Sequence, residues 1–251
     1  MFNLKLLLFF CFSACVSAQF DYKIYSNNKD TIPYRIIVPK NYSSEKSYPI
    51  LIFLHGSGER GNNNESQLIH GSKVMGSDNF QKQHDSFVVF PQCKAKDYWA
   101  NVPFWEKTNK KRFVFNKTLS GNNMLKGVIE LLNSLESKYS IDPSRRYIGG
   151  LSMGAMGAIE ILAQNPGVFR AAFAICGGGS PSWANKIKGT PLWLFHGKKD
   201  DVVDVKFSKK LARKLIRLKS KTKLTLYDEI KHNSWDLALN DPFLFKWLFS
   251  Q

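Results

Sequence analysis

Gly150-Leu151-Ser152-Met153-Gly154 constrains this chain more than any other stretch. It joins Arg145–Gly149, which reads as a short strand, to Ala155–Glu160, which reads as the start of a helix. A strand that turns straight into a helix crowds the residues two before and two after the turn. Glycine meets that need and tolerates the strained backbone. The serine between them stands exposed at the helix head, where free backbone amides favour a negative oxygen. By itself the five-residue pattern also suits an incidental serine in a glycine turn. The case depends on partners elsewhere in the chain.

A serine hydroxyl becomes a nucleophile when a base takes its proton, and a carboxylate must hold that base in the right tautomer. On this kind of scaffold the order is Ser, acid, His, each on a loop after a strand. His232 lies after the strand Leu224–Tyr227, where the base is expected. Of the other four histidines, His55 and His196 precede glycines at strand ends and are read as shaping those turns. His70 and His84 lie in a polar region with no partner pattern and are read as exposed. Three carboxylates compete for the acid: Asp200, Asp201 and Asp204. Asp200, at the first turn after the strand Pro191–Phe195, is placed to point back across the sheet ends. Asp201 would point elsewhere, and Asp204 suits the cap of a helix beginning at Val205. The exchange of roles between Asp200 and Asp204 stays open. The oxyanion of such chemistry needs two amides. Met153, after the serine, is one. The loop His55-Gly56-Ser57-Gly58-Glu59-Arg60-Gly61 after YPILIFL offers the other, chosen by position as Ser57.

Apolar runs alternate with helical patterns after residue 50. Tyr48–Leu54, Phe87–Pro91, Arg146–Gly149, Arg170–Ile175, Pro191–Phe195 and Leu224–Tyr227 read as strands. Gly121–Tyr139, Met153–Gln164, Val205–Lys219, Trp235–Leu239 and Pro242–Phe249 read as helices. Phe20–Tyr25 and Ile32–Val38 alternate more and suggest an antiparallel edge hairpin. Continuous apolar strands between helices predict an α/β chain, with a mostly parallel central sheet of about eight strands and helices on both faces. In the helix at Val205, Val205, Leu211, Leu215 and Leu218 would face inward. The long connection Gln92–Ser120 carries Tyr98, Trp99, Phe104 and Trp105. It reads either as a wall over the site or as a surface loop pinned by buried tryptophans. On the first reading Trp99 and Trp105, together with Trp235 beside the base, are candidate substrate contacts.

Leu6–Val16 is too short to span a membrane. With Lys5 before it and Val16-Ser17-Ala18 after it, residues 1–18 read as an export signal, leaving 19–251 as one catalytic domain. A second reading lipidates Cys15, from Phe12-Ser13-Ala14-Cys15. Either way the chain leaves the cytoplasm, to a periplasm or the exterior, with a bacterial source favoured. Cys93 and Cys176 end apolar strands and are read as lone buried thiols. No metal-ligand spacing is present, and no metal or cofactor is expected. The formal net charge is +16, spread over many segments and densest at Lys107–Arg112 and Lys206–Lys223. It is read as a solvated face. No nucleic-acid motif accompanies it, and export argues against that partner.

LHGSGERG (Leu54–Gly61), PQC (Pro91–Cys93), IDPSRRYIGGLSMGAMG (Ile141–Gly157), HGKKDDVV (His196–Val203) and KHNSW (Lys231–Trp235) together resemble the secreted carboxylesterases of the α/β-hydrolase superfamily. The nearest resemblance is to phospholipase/carboxylesterase and polyhydroxybutyrate-depolymerase-like esterases, a group that includes feruloyl and acetyl-xylan esterases. It runs from about Tyr34 to the C-terminus. It implies the α/β-hydrolase fold, Ser152 as nucleophile, Asp200 as acid, His232 as base, and oxyanion amides at Ser57 and Met153. It also implies an ester substrate, small or part of a polysaccharide, and no cofactor. Ala155 stands where a second glycine is frequent, and Asp204 where proline is frequent. The same residues would serve a serine peptidase or an acyltransferase. A non-catalytic binding protein on the same scaffold would be expected to lack part of the set.

Overall fold

The computed structural model describes residues 20–27, 31–102, 104–107, 110–119 and 121–251. The expected export signal, with Cys11 and Cys15, lies outside the described residues.

One eight-stranded sheet organises the chain. Its strands are β1 (Asp21–Ser26), β2 (Thr31–Ile37), β3 (Tyr48–Leu54), β4 (Phe87–Pro91), β7 (Ile141–Leu151), β8 (Ala171–Ile175), β9 (Leu192–Gly197) and β10 (Thr222–Tyr227). They lie in the order β1-β2-β4-β3-β7-β8-β9-β10. β1 pairs antiparallel with β2, and β2 with β4. Every other pairing is parallel. The alternating hairpin at the start of the chain therefore forms the antiparallel edge, and the continuous apolar runs form the parallel interior. β7 is longer than the Arg146–Gly149 run suggested. It begins at Ile141, where polar residues beside the last helical turn masked its start.

The helices are α1 (Ser72–Met75), α2 (Asp78–His84), α3 (Asn123–Lys138), α4 (Met153–Gln164), α5 (Ala184–Ile187), α6 (Lys206–Arg217), α7 (Trp235–Ala238) and α8 (Leu244–Phe249). They cover both sheet faces, and β3 shows how. Its side chains point alternately to opposite sides. Ile50, Ile52 and Leu54 join one core with Leu125, Val128 and Leu131 of α3 and Leu211 and Leu215 of α6. Leu51 and Phe53 join the other with Met75, Phe80, Leu244 and Leu248. All seven residues of β3 are buried. Each large apolar side chain so removed from water contributes about 1.5–3 kcal/mol. α3 starts where the Asn122 side chain accepts from the Leu125 amide at 3.0 Å. In α6 Leu211, Ala212 and Leu215 are buried, while Val205 and Leu218 at its ends are only partly so. Among the described residues no helix is long and apolar enough to cross a membrane.

The connection from Gln92 to Ser120 is not structureless. It carries a second, two-stranded antiparallel sheet, β5 (Phe104–Lys107) with β6 (Lys110–Phe113). Glu106 and Lys107 in β5, and Lys110, Lys111 and Arg112 in β6, hid the hairpin from an apolar-run reading. Cys93 and Cys176 are both buried and free.

Candidate active site

Ser152 sits between β7 and α4 with φ 50° and ψ −114°, a conformation strained for any residue with a side chain. The surroundings enforce it. A β-carbon on Gly150 would meet the carbonyl oxygens of Gly154 at 2.4 Å and Leu54 at 2.8 Å. The Ser152 amide donates to the Ile175 carbonyl at 2.8 Å, tying the turn to β8. Ser152 as a residue is 9% exposed.

β9 and β10 bring up the other two groups. His232 Nε2 lies 2.9 Å from Ser152 Oγ, and His232 Nδ1 lies 2.8 Å from Asp200 Oδ2. Facing a carboxylate, Nδ1 carries the proton, which leaves Nε2 free to accept from the serine. The Asp200 side chain has no exposed surface. Its Oδ1 accepts from the Val202 amide at 2.9 Å and the Val203 amide at 2.8 Å. Burial alone would raise the Asp200 pKa. Donors from His196 and His232 outweigh it and hold the carboxyl well below its ordinary range.

The competing carboxylates lie elsewhere. Asp201 faces Lys231 in an exposed pair at 3.4 Å. Asp204 accepts from the Lys206 amide at 2.9 Å at the head of α6, the capping place expected for it.

Met153 opens α4, and the first amides of a helix have no partner within it. Ser57 opens a single 3-10 turn, Ser57–Glu59, and is exposed. The loop it belongs to abuts Ser152: a β-carbon on Gly56 would lie 3.8 Å from Ser152 Cβ. His55 anchors that loop. Its Nε2 accepts from the Cys93 amide at 2.9 Å, so Nδ1 carries the proton and donates to the Gly56 carbonyl at 2.6 Å. Burial lowers the His55 pKa to about 4, which keeps the ring neutral.

Of the three tryptophans expected to meet substrate, Trp99 does not qualify. It has no exposed surface. Its ring packs edge-on to His55 with centroids 5.3 Å apart, and a β-carbon on Gly157 would come within 2.5 Å of Trp99 Cβ. Trp99 pins the long connection to α4. Trp105 lies in β5, and its side chain is outside the described residues. Trp235 stands edge-on to His232 at 5.4 Å and 88°.

Two histidines read as exposed are not. His70 is packed against Trp235 at 5.0 Å, and its Nε2 is 3.7 Å from Glu59 Oε1. His84 is half-buried and stacks on Phe249 at 4.5 Å. His84 also packs on Phe80, one turn back in α2, at 4.8 Å, but Trp235 and Phe249 come from segments far along the chain, which no local pattern announced. The same holds for Glu59, which is buried with Oε2 unpartnered. It holds again for Glu160 on α4. That carboxylate accepts from the Asn101 amide and from Gln164 Nε2, both at 2.8 Å, and so ties the long connection to the helix behind Ser152. A groove of about 440 Å³ runs beside Trp235, between His70, Val74 and Leu239. Among the described residues no group of three or more His, Cys, Asp or Glu could hold a metal ion.

A family described as Phospholipase/Carboxylesterase matches residues 38–245. The bifunctional acetylxylan esterase/xylanase XynS20E of Neocallimastix patriciarum is 25% identical over 170 residues, 67% of this chain and 21% of that protein. Poly(3-hydroxyalkanoate) depolymerase C of Paucimonas lemoignei is 27% identical over 130 residues, 52% of this chain and 28% of that one. The chain thus spans under a third of either relative. Among solved structures, a thermostable esterase superposes with a TM-score of 0.82 at 33% identity, over 92% of this chain and 63% of that one. A ferulic acid esterase from Anaeromyces mucronatus shares the fold, with a TM-score of 0.63 at 16% identity over 90% of this chain and 88% of that one.

Proposed function

Because this chain belongs to the phospholipase/carboxylesterase family, a family of carboxylic ester hydrolases on the α/β-hydrolase fold, we propose that Ser152, His232 and Asp200 carry its ester cleavage through an acyl-enzyme. The line of hydrogen bonds from Ser152 Oγ through both ring nitrogens of His232 to Asp200 carries this reading. Ser152 attacks the ester carbonyl while His232 Nε2 takes the hydroxyl proton. Asp200 stabilises the imidazolium that forms. The amides of Met153 and Ser57 receive the oxyanion, each such donor typically being worth ~3 kcal/mol of transition-state stabilisation. His232 then protonates the leaving alcohol, and water repeats the cycle on the acyl-enzyme.

For the substrate we infer acetyl or feruloyl esters of plant polysaccharide, met outside the cytoplasm after removal of residues 1–18. Support comes from the acetylxylan and ferulic acid esterases among the similar proteins. Trp235 beside the base offers an apolar ring for a sugar or phenolic group. The test is an ester panel of p-nitrophenyl acetate, butyrate and octanoate with methyl ferulate, run on wild type and on Ser152→Ala. Turnover that survives Ser152→Ala overturns the assignment of the nucleophile. A chain-length preference with no ferulate turnover removes the feruloyl ester.

A further inference from the structure

A second imidazole lies against the carboxylate of Asp200. His196, the penultimate residue of β9, has no exposed surface, and its Nε2 is 3.1 Å from Asp200 Oδ2. The same nitrogen is 2.9 Å from the Val203 carbonyl. Both neighbours are pure acceptors, so Nε2 must carry a proton. The far side of the ring agrees. His196 Nδ1 is 2.8 Å from Ser208 Oγ, which is 2.8 Å from the Gly177 carbonyl. The one hydroxyl proton of Ser208 points either to Nδ1 or to Gly177. In the first case the ring is neutral, in the second a cation, and in both Nε2 is protonated. Asp200 Oδ2 therefore faces two ring N–H groups, while Oδ1 takes two backbone amides.

We propose that His196 is a positioning residue that acts through Asp200: it fixes the oxygen that His232 uses and takes a share of its charge. This rests on the reading of Asp200 and His232 as acid and base. The chemical consequence has a definite sign. A carboxylate that shares Oδ2 with His196 stabilises the His232 imidazolium less than an unshared one would. The other titratable groups nearby are the Asp204 carboxylate, which senses His196, and the Cys176 thiol, which burial keeps protonated. Neither donates to Asp200.

The test pairs two substitutions. His196→Gln keeps an N–H able to reach Asp200. His196→Phe keeps a buried ring and removes the donor. For His196→Phe the acid limb of kcat/KM against pH moves up by on the order of one unit. For His196→Gln it stays near wild type, with turnover between the two. An unmoved limb in a folded His196→Phe, or an equal displacement in both variants, overturns the proposal. A second measurement does not depend on either variant folding. In ring-15N-labelled wild type, His196 Nε2 and His232 Nδ1 should each show a hydrogen-bonded ring proton, and both should shift in Asp200→Asn. A His196 ring proton indifferent to Asp200→Asn overturns the proposal. This spectrum needs no turnover, so it stands apart from any failure of the esterase reading at Ser152.

Discussion

The carbonyl oxygen of Leu54 lies 1.9 Å from the point that a β-carbon on Gly154 would occupy. The Leu54 carbonyl carbon and the His55 carbonyl oxygen lie 2.4 and 2.6 Å from the same point. All three are backbone atoms at the end of a central strand, so they have little room to yield. α4 can start at Met153 and aim its amides at the serine only because it touches β3 directly at this glycine. Gly154→Ala should therefore either fail to accumulate as folded protein or displace Ser152 and lose turnover, since overpacking a filled site costs ~1–3 kcal/mol or more. Gly189→Ala is the control, because nothing lies within 4 Å of its new methyl. Thermal midpoints and p-nitrophenyl acetate turnover separate the two. A Gly154→Ala protein with wild-type values for both would show that the helix head can move.

The three neighbouring aspartates make different predictions. Asp200 holds His232 in its tautomer. Asn at that position offers an amide in place of one carboxylate oxygen, so Asp200→Asn should lower kcat by about 10⁴-fold with the fold retained. Asp204→Asn leaves an acceptor near the Lys206 amide and should change stability by less than about 1 kcal/mol. Asp201→Asn breaks only an exposed pair with Lys231 and should change neither. A loss of turnover in Asp204→Asn matching that of Asp200→Asn would return the acid to the open choice between them.

What was legible in the sequence follows a physical rule. Gly150, Ser152 and Gly154 were readable because steric crowding at a strand-to-helix turn admits few residues. Asp200 and His232 were readable because the parallel sheet puts every strand's C-terminal loop at one end, so chain order becomes position. Side-chain contacts between remote segments have no such rule. Glu59 against His70, and Glu160 against the Asn101 amide, join segments that share no periodicity. An aromatic cluster such as Tyr98–Trp105 shows that rings are present and leaves open which way they face. The bare backbone of Gly157 lets the Cβ and backbone of Trp99 sit directly against α4. His196 was readable as a turn histidine; its reach to Asp200 depends on the path of the three residues between them.

Trp99 and Trp235 should respond in opposite ways to truncation. Trp99 is wholly enclosed, and Trp99→Ala should cost about 3–5 kcal/mol by urea unfolding. Trp235 is partly exposed and meets His232 edge-on. An aromatic contact of that kind is worth about 0.5–1.5 kcal/mol. Trp235→Ala should accordingly lower kcat/KM by on the order of 2- to 10-fold while leaving most of the stability. A Trp235→Ala protein as destabilised as Trp99→Ala would make Trp235 a core residue first.

Glu160 predicts how stability varies with pH. Burial is the main cause that raises its pKa, to about 7, against the lowering effect of donors from Asn101 and Gln164. In the unfolded chain the same carboxyl titrates in the ordinary glutamate range, near 4.5. Between these two values the folded protein keeps a proton that the unfolded chain has released. Stability therefore falls as pH rises through that window, and the whole loss is present above about pH 7. At about 1.4 kcal/mol per unit, the loss is on the order of 3 kcal/mol. Asp142 and Asp200, whose carboxyls are held low, contribute stability that is lost only as pH falls below the ordinary aspartate range. His55 and His84, held low by burial, act in the opposite sense across an overlapping window. The comparison must therefore be made between two proteins at each pH. Glu160→Gln removes the titration and leaves a carbonyl for the Asn101 amide. Urea midpoints at pH 5, 6, 7 and 8 should show the variant gaining on wild type up to about pH 7 and levelling off by pH 8. Parallel curves would mean that Glu160 stays ionised when folded, with Asn101 and Gln164 supplying enough hydrogen bonding to offset its burial.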